Sequence, residues 1–140
     1  MLGFSLPALV RVLLVWLLIV AAESAQGALR QLLFGPEVQF LVRQLSVVTG
    51  AVIIFALAWV CRGWTRARTS SGALATGVLW VVLTVAFEIV LGLSTGLNWR
   101  RIASDYDLFH GGLMPLGLLA LALTPWTVRA LETRQFMRPD

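Results

Sequence analysis

The sequence predicts an all-α membrane protein: four transmembrane helices in two hairpins, forming a single domain over residues 1–140. Three observations predict it. Of the 140 residues, 59% are hydrophobic and only 13% charged, against about half apolar and a quarter charged in soluble domains. The apolar residues come in four long blocks, each near the ~20 residues that a bilayer crossing needs. Most charged residues fall between the blocks, and all eleven basic ones are arginine. A chain this short has no soluble core large enough to hide so much apolar surface.

The first helix is expected over about residues 6–22. Ser5 and Pro7 suit a helix start, with proline inside the first turn. Arg11 interrupts the block and can snorkel back toward the N-terminal surface. Val20-Ala21-Ala22 also resembles a signal-peptide cleavage site, but Arg11 adjoins the apolar run and favours a retained helix. Ala28 to Phe34 carries Leu29, Leu32 and Leu33 at helical spacing and is expected along the interface. Gly35-Pro36 is a turn signal. The second helix is expected over about 38–61, followed by Arg62, Arg66 and Arg68. The third is expected over 73–93, ending in Gly92-x-x-x-Gly96, a spacing that permits close helix contact. The fourth is expected over 108–124. Ser104 and Asp107 would form a capping-box-like start and Pro115 a kink. Residues 125–140 would be a tail. Trp64, Trp99 and Trp126 read as interfacial anchors.

Arginine counts set the orientation. With the N-terminus inside, the cytoplasmic side holds Arg11, Arg62, Arg66, Arg68, Arg129, Arg134 and Arg138. The outer side holds Arg30, Arg43, Arg100 and Arg101, with Glu23, Glu37, Asp105 and Asp107. Seven arginines against four place both termini in the cytoplasm. The net charge of +4 therefore reads as topology, and no nucleic-acid partner is expected; the lipid bilayer is the expected partner. A single cysteine, Cys61, excludes an intrachain disulfide.

Glu88 lies 15 residues beyond Ala73, about 22 Å into a core of roughly 30 Å. A carboxylate there must be paired, protonated or beside water. Arg43 is its expected partner, with Arg100 and Arg101 as alternatives. Glu23 stands at the corresponding place on the first helix, with Arg30 and Arg43 as expected partners. Asp105-Tyr106-Asp107-x-x-His110 could hold a divalent metal, or it could cap a helix. Glu23, Arg30, Arg43, Glu88, Arg100, Arg101, Asp105, Asp107 and His110 are thus the candidate site residues. A weak parallel repeat links Glu23-x-x-x-Gly27 to Glu88-x-x-x-Gly92. Each is followed by a polar loop and a helix with glycine near its start (Gly50; Gly111 and Gly112).

Ala22-Glu23 through Leu33, Arg43-Gln44 through Gly50, and Phe87-Glu88 through Leu119 resemble small four-helix integral membrane proteins of bacteria. The resemblance rests on an Ala-Glu…Gly-x-Leu-Arg segment, an Arg-Gln…Gly segment, a Phe-Glu…Gly segment and a Trp…Asp-Tyr…Gly-Gly-Leu-x-Pro-Leu-Gly-Leu-Leu segment. That group carries no assigned activity. The resemblance implies the bacterial inner membrane and a multi-pass topology, and nothing more.

There is no phosphate loop, cysteine pair or catalytic set, and no cofactor is implied. The expected function is a non-catalytic accessory or assembly partner, bound to other membrane subunits or to copies of itself. The alternatives are a small oligomeric transporter or channel using Glu88, and a metal-dependent membrane enzyme using Asp105, Asp107 and His110.

Overall fold

A computed structural model describes residues 5–34, 39–65 and 68–136. Gly35-Pro36, Glu37, Val38, Arg66 and Arg138 lie outside the described residues. The elements are α1 (Leu6–Leu33), α2 (Gln39–Val60), the short α3 (Arg62–Thr65), α4 (Ser70–Ser94), the short α5 (Trp99–Ser104), a 3-10 turn (Leu108–His110) and α6 (Met114–Phe136). No strand occurs among the described residues. The four long helices are apolar enough to cross a membrane, and the protein is an all-α membrane protein. The hairpins are α1–α2 and α4–α6, joined chiefly through α2 against α6. The end carrying α5 and the 3-10 turn is here called the far end; the opposite end carries the start of α1 and the end of α6.

α1 is longer than its apolar run. It continues without a break from Ala22 to Leu33, so the segment from Ala28 extends the helix rather than starting a separate interfacial one. Its polar residues have partners on α2. The Gln26 amide donates to the Ser46 carbonyl at 3.1 Å and to the Thr49 hydroxyl at 2.5 Å. Glu23 rests against Gly50, where an added Cβ would lie 2.7 Å from Oε2. At 28 residues, α1 is about 42 Å long and outreaches a core of roughly 30 Å.

α6 starts later and ends later than the sequence predicts. Leu108–His110 forms a 3-10 turn closed by Gly111 at φ 87°, a left-handed conformation that favours glycine. The α-helix begins at Met114. Pro115 therefore sits in the first turn, where its missing N–H costs nothing, and it is not a mid-helix kink. Pro125, expected to begin the tail, lies inside the helix. Two contacts hold the continuation to the opposite loop. Arg129 donates to the Ser70 hydroxyl at 2.8 Å and the Arg68 carbonyl at 2.9 Å. Arg62 pairs with Glu132 at 3.1 Å and lies over the Trp59 ring, 4.5 Å from its centroid.

Helix contact through small residues occurs on α4, but not at Gly92-x-x-x-Gly96. Gly96 is in the turn after the helix, at φ 81°, and Gly92 makes room for the Ile102 side chain. The close approach is at Ala73-x-x-x-Gly77, both buried. A Cβ at Gly77 would strike the Ala122 main chain of α6.

Two indole hydrogen bonds join α1 to α4. Trp80 Nε1 donates to the Val12 carbonyl at 3.0 Å, and Trp16 Nε1 donates to the Thr84 hydroxyl at 3.0 Å. Both pairs have the same offset of 68 residues, one helical turn apart, so the helices run parallel. The hairpins thus share direction, but their glycines do different work. Gly50 receives the Glu23 carboxylate, whereas Gly112 packs against the Ser104 and Asp105 carbonyls. Val12, Val15, Ile19, Ile54, Ala58, Trp80, Leu121 and Val128 form the core. Exposed leucines and valines on all four long helices supply the surface that lipid covers.

Candidate functional site

The candidate residues gather at the far end, in an arrangement set by α5. Asn98 caps this helix by accepting from the Arg101 N–H at 2.9 Å. Ile102 is 6% exposed and fills the notch over Gly92. The turn that follows is pinned by the Met114 N–H donating to the Asp105 carbonyl at 3.1 Å. Gly112 lies so close to this turn that a Cβ would come 2.5 Å from the Ser104 carbonyl oxygen.

Asp105 is the hub of the charged group. Arg101 pairs with it at 2.8 Å and also donates to the Ser104 hydroxyl at 3.0 Å. Arg43 of α2 reaches the same carboxylate oxygen at 3.7 Å, so Asp105 ties the two hairpins together. All three side chains are partly exposed, and such pairs fix geometry more than they stabilise.

Glu88 is not paired with Arg43. α2 packs on α6 and α1, and α4 packs on α6, so α2 does not present Arg43 to Glu88. Arg43 reaches Asp105 instead. Neither Arg100 nor Arg101 replaces Arg43: among the described residues Glu88 has no ion pair. It is exposed in the isolated chain. Glu23 likewise has no ion pair among the described residues, and its Oε1 is buried without a hydrogen-bond partner there. The side chains of Arg30 and Arg100 make no hydrogen bond or ion pair with described residues.

The Asp-Tyr-Asp-x-x-His motif divides. Asp105 turns to the arginines, whereas Asp107 accepts from His110 Nδ1 at 2.6 Å and from the Phe109 N–H at 3.1 Å. Among the described residues no three His, Cys, Asp or Glu side chains come together as a metal site. Asp107 caps the 3-10 turn rather than a long helix, and Ser104 closes α5, so the expected capping box is absent. The His110 hydrogen bond, followed by its charge, holds the Asp107 carboxyl below the usual range. A lowered carboxyl contributes stability above its unfolded pKa and loses it as pH falls through the folded value. His110 is 82% exposed, so solvent screens the pair.

Tyr106 is a feature the sequence did not single out. Its hydroxyl is buried and has no partner among the described residues. Burial, then the charges of Glu88 and Asp105, push its ionisation above the ordinary value of 10.0. It is the chain's sole tyrosine, so ultraviolet titration at high pH reports it alone. The midpoint is expected above the ordinary value, and Glu88→Gln is expected to bring it down. An ordinary midpoint in the wild type would show that Tyr106 does not sit in this environment.

Two of the cavities among the described residues line the bundle. One, of about 20 Å³ among Thr76, Trp80, Pro125 and the Arg62–Glu132 pair, holds no more than a water or two. The other is an open groove of about 270 Å³ between α4 and α5, lined by Val85, Ile89, Trp99, Ile102, Ala103 and Tyr106. Compared with family models, curated proteins and solved structures, the chain matches none.

Proposed function

We propose that the protein is an accessory or assembly subunit of a larger membrane complex, multi-pass in the bacterial inner membrane with both termini cytoplasmic. Glu88 carries the reading. It lies six residues before the end of a membrane-spanning helix, exposed and without a cation among the described residues. An ionisable side chain left to lipid costs on the order of 2–3 kcal/mol. A neighbouring chain that supplies a basic or hydrogen-bonding group removes that cost, so Glu88 favours association. The seven-to-four distribution of arginines supports the orientation.

The test is purification from the native host at native expression in mild detergent, followed by mass spectrometry. A different membrane protein is expected in fixed stoichiometry. Glu88→Gln is expected to lower its recovery about tenfold, equivalent to roughly 1.4 kcal/mol. A homogeneous monomer would overturn the reading. The second reading, a small oligomeric transporter, draws on the two buried unpartnered oxygens, Glu23 Oε1 and Tyr106 OH. It predicts a homo-oligomer with no other chain, and transport in proteoliposomes that Glu88→Gln abolishes.

A further inference from the structure

We infer that the groove between α4 and α5 is a binding site for one anionic phospholipid, with an acyl chain lying against Val85 and Ile89 and the phosphate held by Arg100. Val85 and Ile89 lie one turn apart on the far-end half of a membrane-spanning helix, at a depth where acyl chains are the solvent. The opposite wall is α5 and the turn after it, which offer Trp99, Ile102, Ala103 and Tyr106 to the groove. The groove is open rather than enclosed, and its lining is apolar.

The charge pattern around α5 identifies the headgroup. At 100° per residue, Trp99, Ile102 and Ala103 share one face, Arg100 lies on its flank, and Arg101 lies on the far side. Arg101 is engaged by Asp105 and Ser104. Arg100 is exposed, and its side chain has no partner among the described residues. Trp99, 61% exposed, marks the headgroup level, where tryptophan is enriched in membrane proteins. An unpartnered arginine next in sequence to Trp99 of the groove wall is complementary to a molecule with a phosphate at one end and a chain at the other. A neutral hydrophobic protein segment would leave Arg100 unused.

Native mass spectrometry of the detergent-solubilised chain tests this, with dioleoyl phosphatidylglycerol and dioleoyl phosphatidylcholine at equal concentration. One phosphatidylglycerol per chain is expected, preferred over phosphatidylcholine roughly fivefold, the worth of one basic side chain near an anionic surface. Arg100→Gln is expected to bring the preference close to parity. Ala103→Trp, which fills an exposed position in the groove, is expected to lose both lipids while circular dichroism remains that of the wild type. The wild-type comparison stands even if a variant fails to fold. Equal retention of the two lipids, or full phosphatidylglycerol retention by folded Ala103→Trp, would overturn the site. So would a cross-link to protein rather than lipid from Trp99→p-benzoylphenylalanine in native membranes.

Discussion

Gly77→Ala is expected to destabilise the bundle by about 1–3 kcal/mol, and Gly77→Leu is expected to prevent α4 and α6 from docking. The new Cβ would land on the Ala122 carbonyl oxygen and come within 2.8 Å of its carbonyl carbon. These are main-chain atoms inside a helix, and they cannot rotate away as a side-chain tip would. Relief requires α6 to move as a body. For the same reason Ala122→Gly cannot rescue Gly77→Ala, because the obstructing oxygen and carbon remain. Gly27→Ala is the control. It also lies in a helix interior, but nothing stands within 4 Å of its Cβ position. There alanine gains about 1 kcal/mol of helix propensity. Unfolding by sodium dodecyl sulfate in mixed micelles, followed by tryptophan fluorescence, measures both. A Gly77→Ala transition at the wild-type detergent fraction would show that the contact between α4 and α6 is looser than the structure has it.

The contrast between these glycines shows what a sequence can and cannot disclose. The four spans are legible because hydropathy is a property of each segment alone, and lipid imposes it on every spanning helix. The same logic misplaces the end of α1. Glu23 and Gln26 look like the end of a span until Gly50, Ser46 and Thr49 of α2 are seen beside them. Which residues face each other across two helices is not written in either helix. The start of α6 is different: the Pro115 rule for first turns was available, and Gly111 is a fitting terminator for the preceding turn. What concealed the true start was the apolar run from Leu108, which continues through the turn and imitates the first turns of a helix. α6 continues past Pro125 because Arg129 and Glu132 find partners on the α2–α4 side, again a tertiary fact.

The candidate site was legible as a set of residues but not as a set of pairs. That charged residues in and near spans at one end should cluster follows from their cost in lipid. Assigning Arg43 to Glu88 used depth and lean, both of which are read along a single helix. The choice of helix neighbours decided otherwise, since α2 packs on α6 and α1 rather than on α4. Asp105 took Arg43 because α5, a helix of six residues with no strong hydropathy signal, carries that carboxylate back over α2. Tyr106 was overlooked for a related reason. One tyrosine in a polar loop is unremarkable until the structure buries its hydroxyl near Glu88.

Trp80→Ala is expected to cost about 3 kcal/mol, the low end for removing a buried tryptophan. Trp80 is 1% exposed and is the largest side chain in the core. Two contributions separate. Losing the ring leaves a cavity, and its lining loses dispersion contacts that lipid cannot restore. The transfer contribution is smaller than in water, because a detached helix face meets apolar lipid rather than water. Losing the indole N–H removes one hydrogen bond to the Val12 carbonyl. That oxygen has a second lone pair for its own helix, so no acceptor is stranded. Trp80→Phe should therefore cost only about 0.6–1.7 kcal/mol, the range for polar contacts between membrane helices. If the two variants cost the same, the hydrogen bond rather than ring volume holds α1 to α4. The consequence stops short of the far end. α1 and α4 touch over a short stretch, and Trp16 with Thr84 supplies their other indole bond. Loosening that stretch leaves the main seam, α2 against α6, closed. Glu88 and Asp105, the charges that act on Tyr106, belong with it to the α4–α6 hairpin, so neither variant is expected to move the Tyr106 ionisation midpoint.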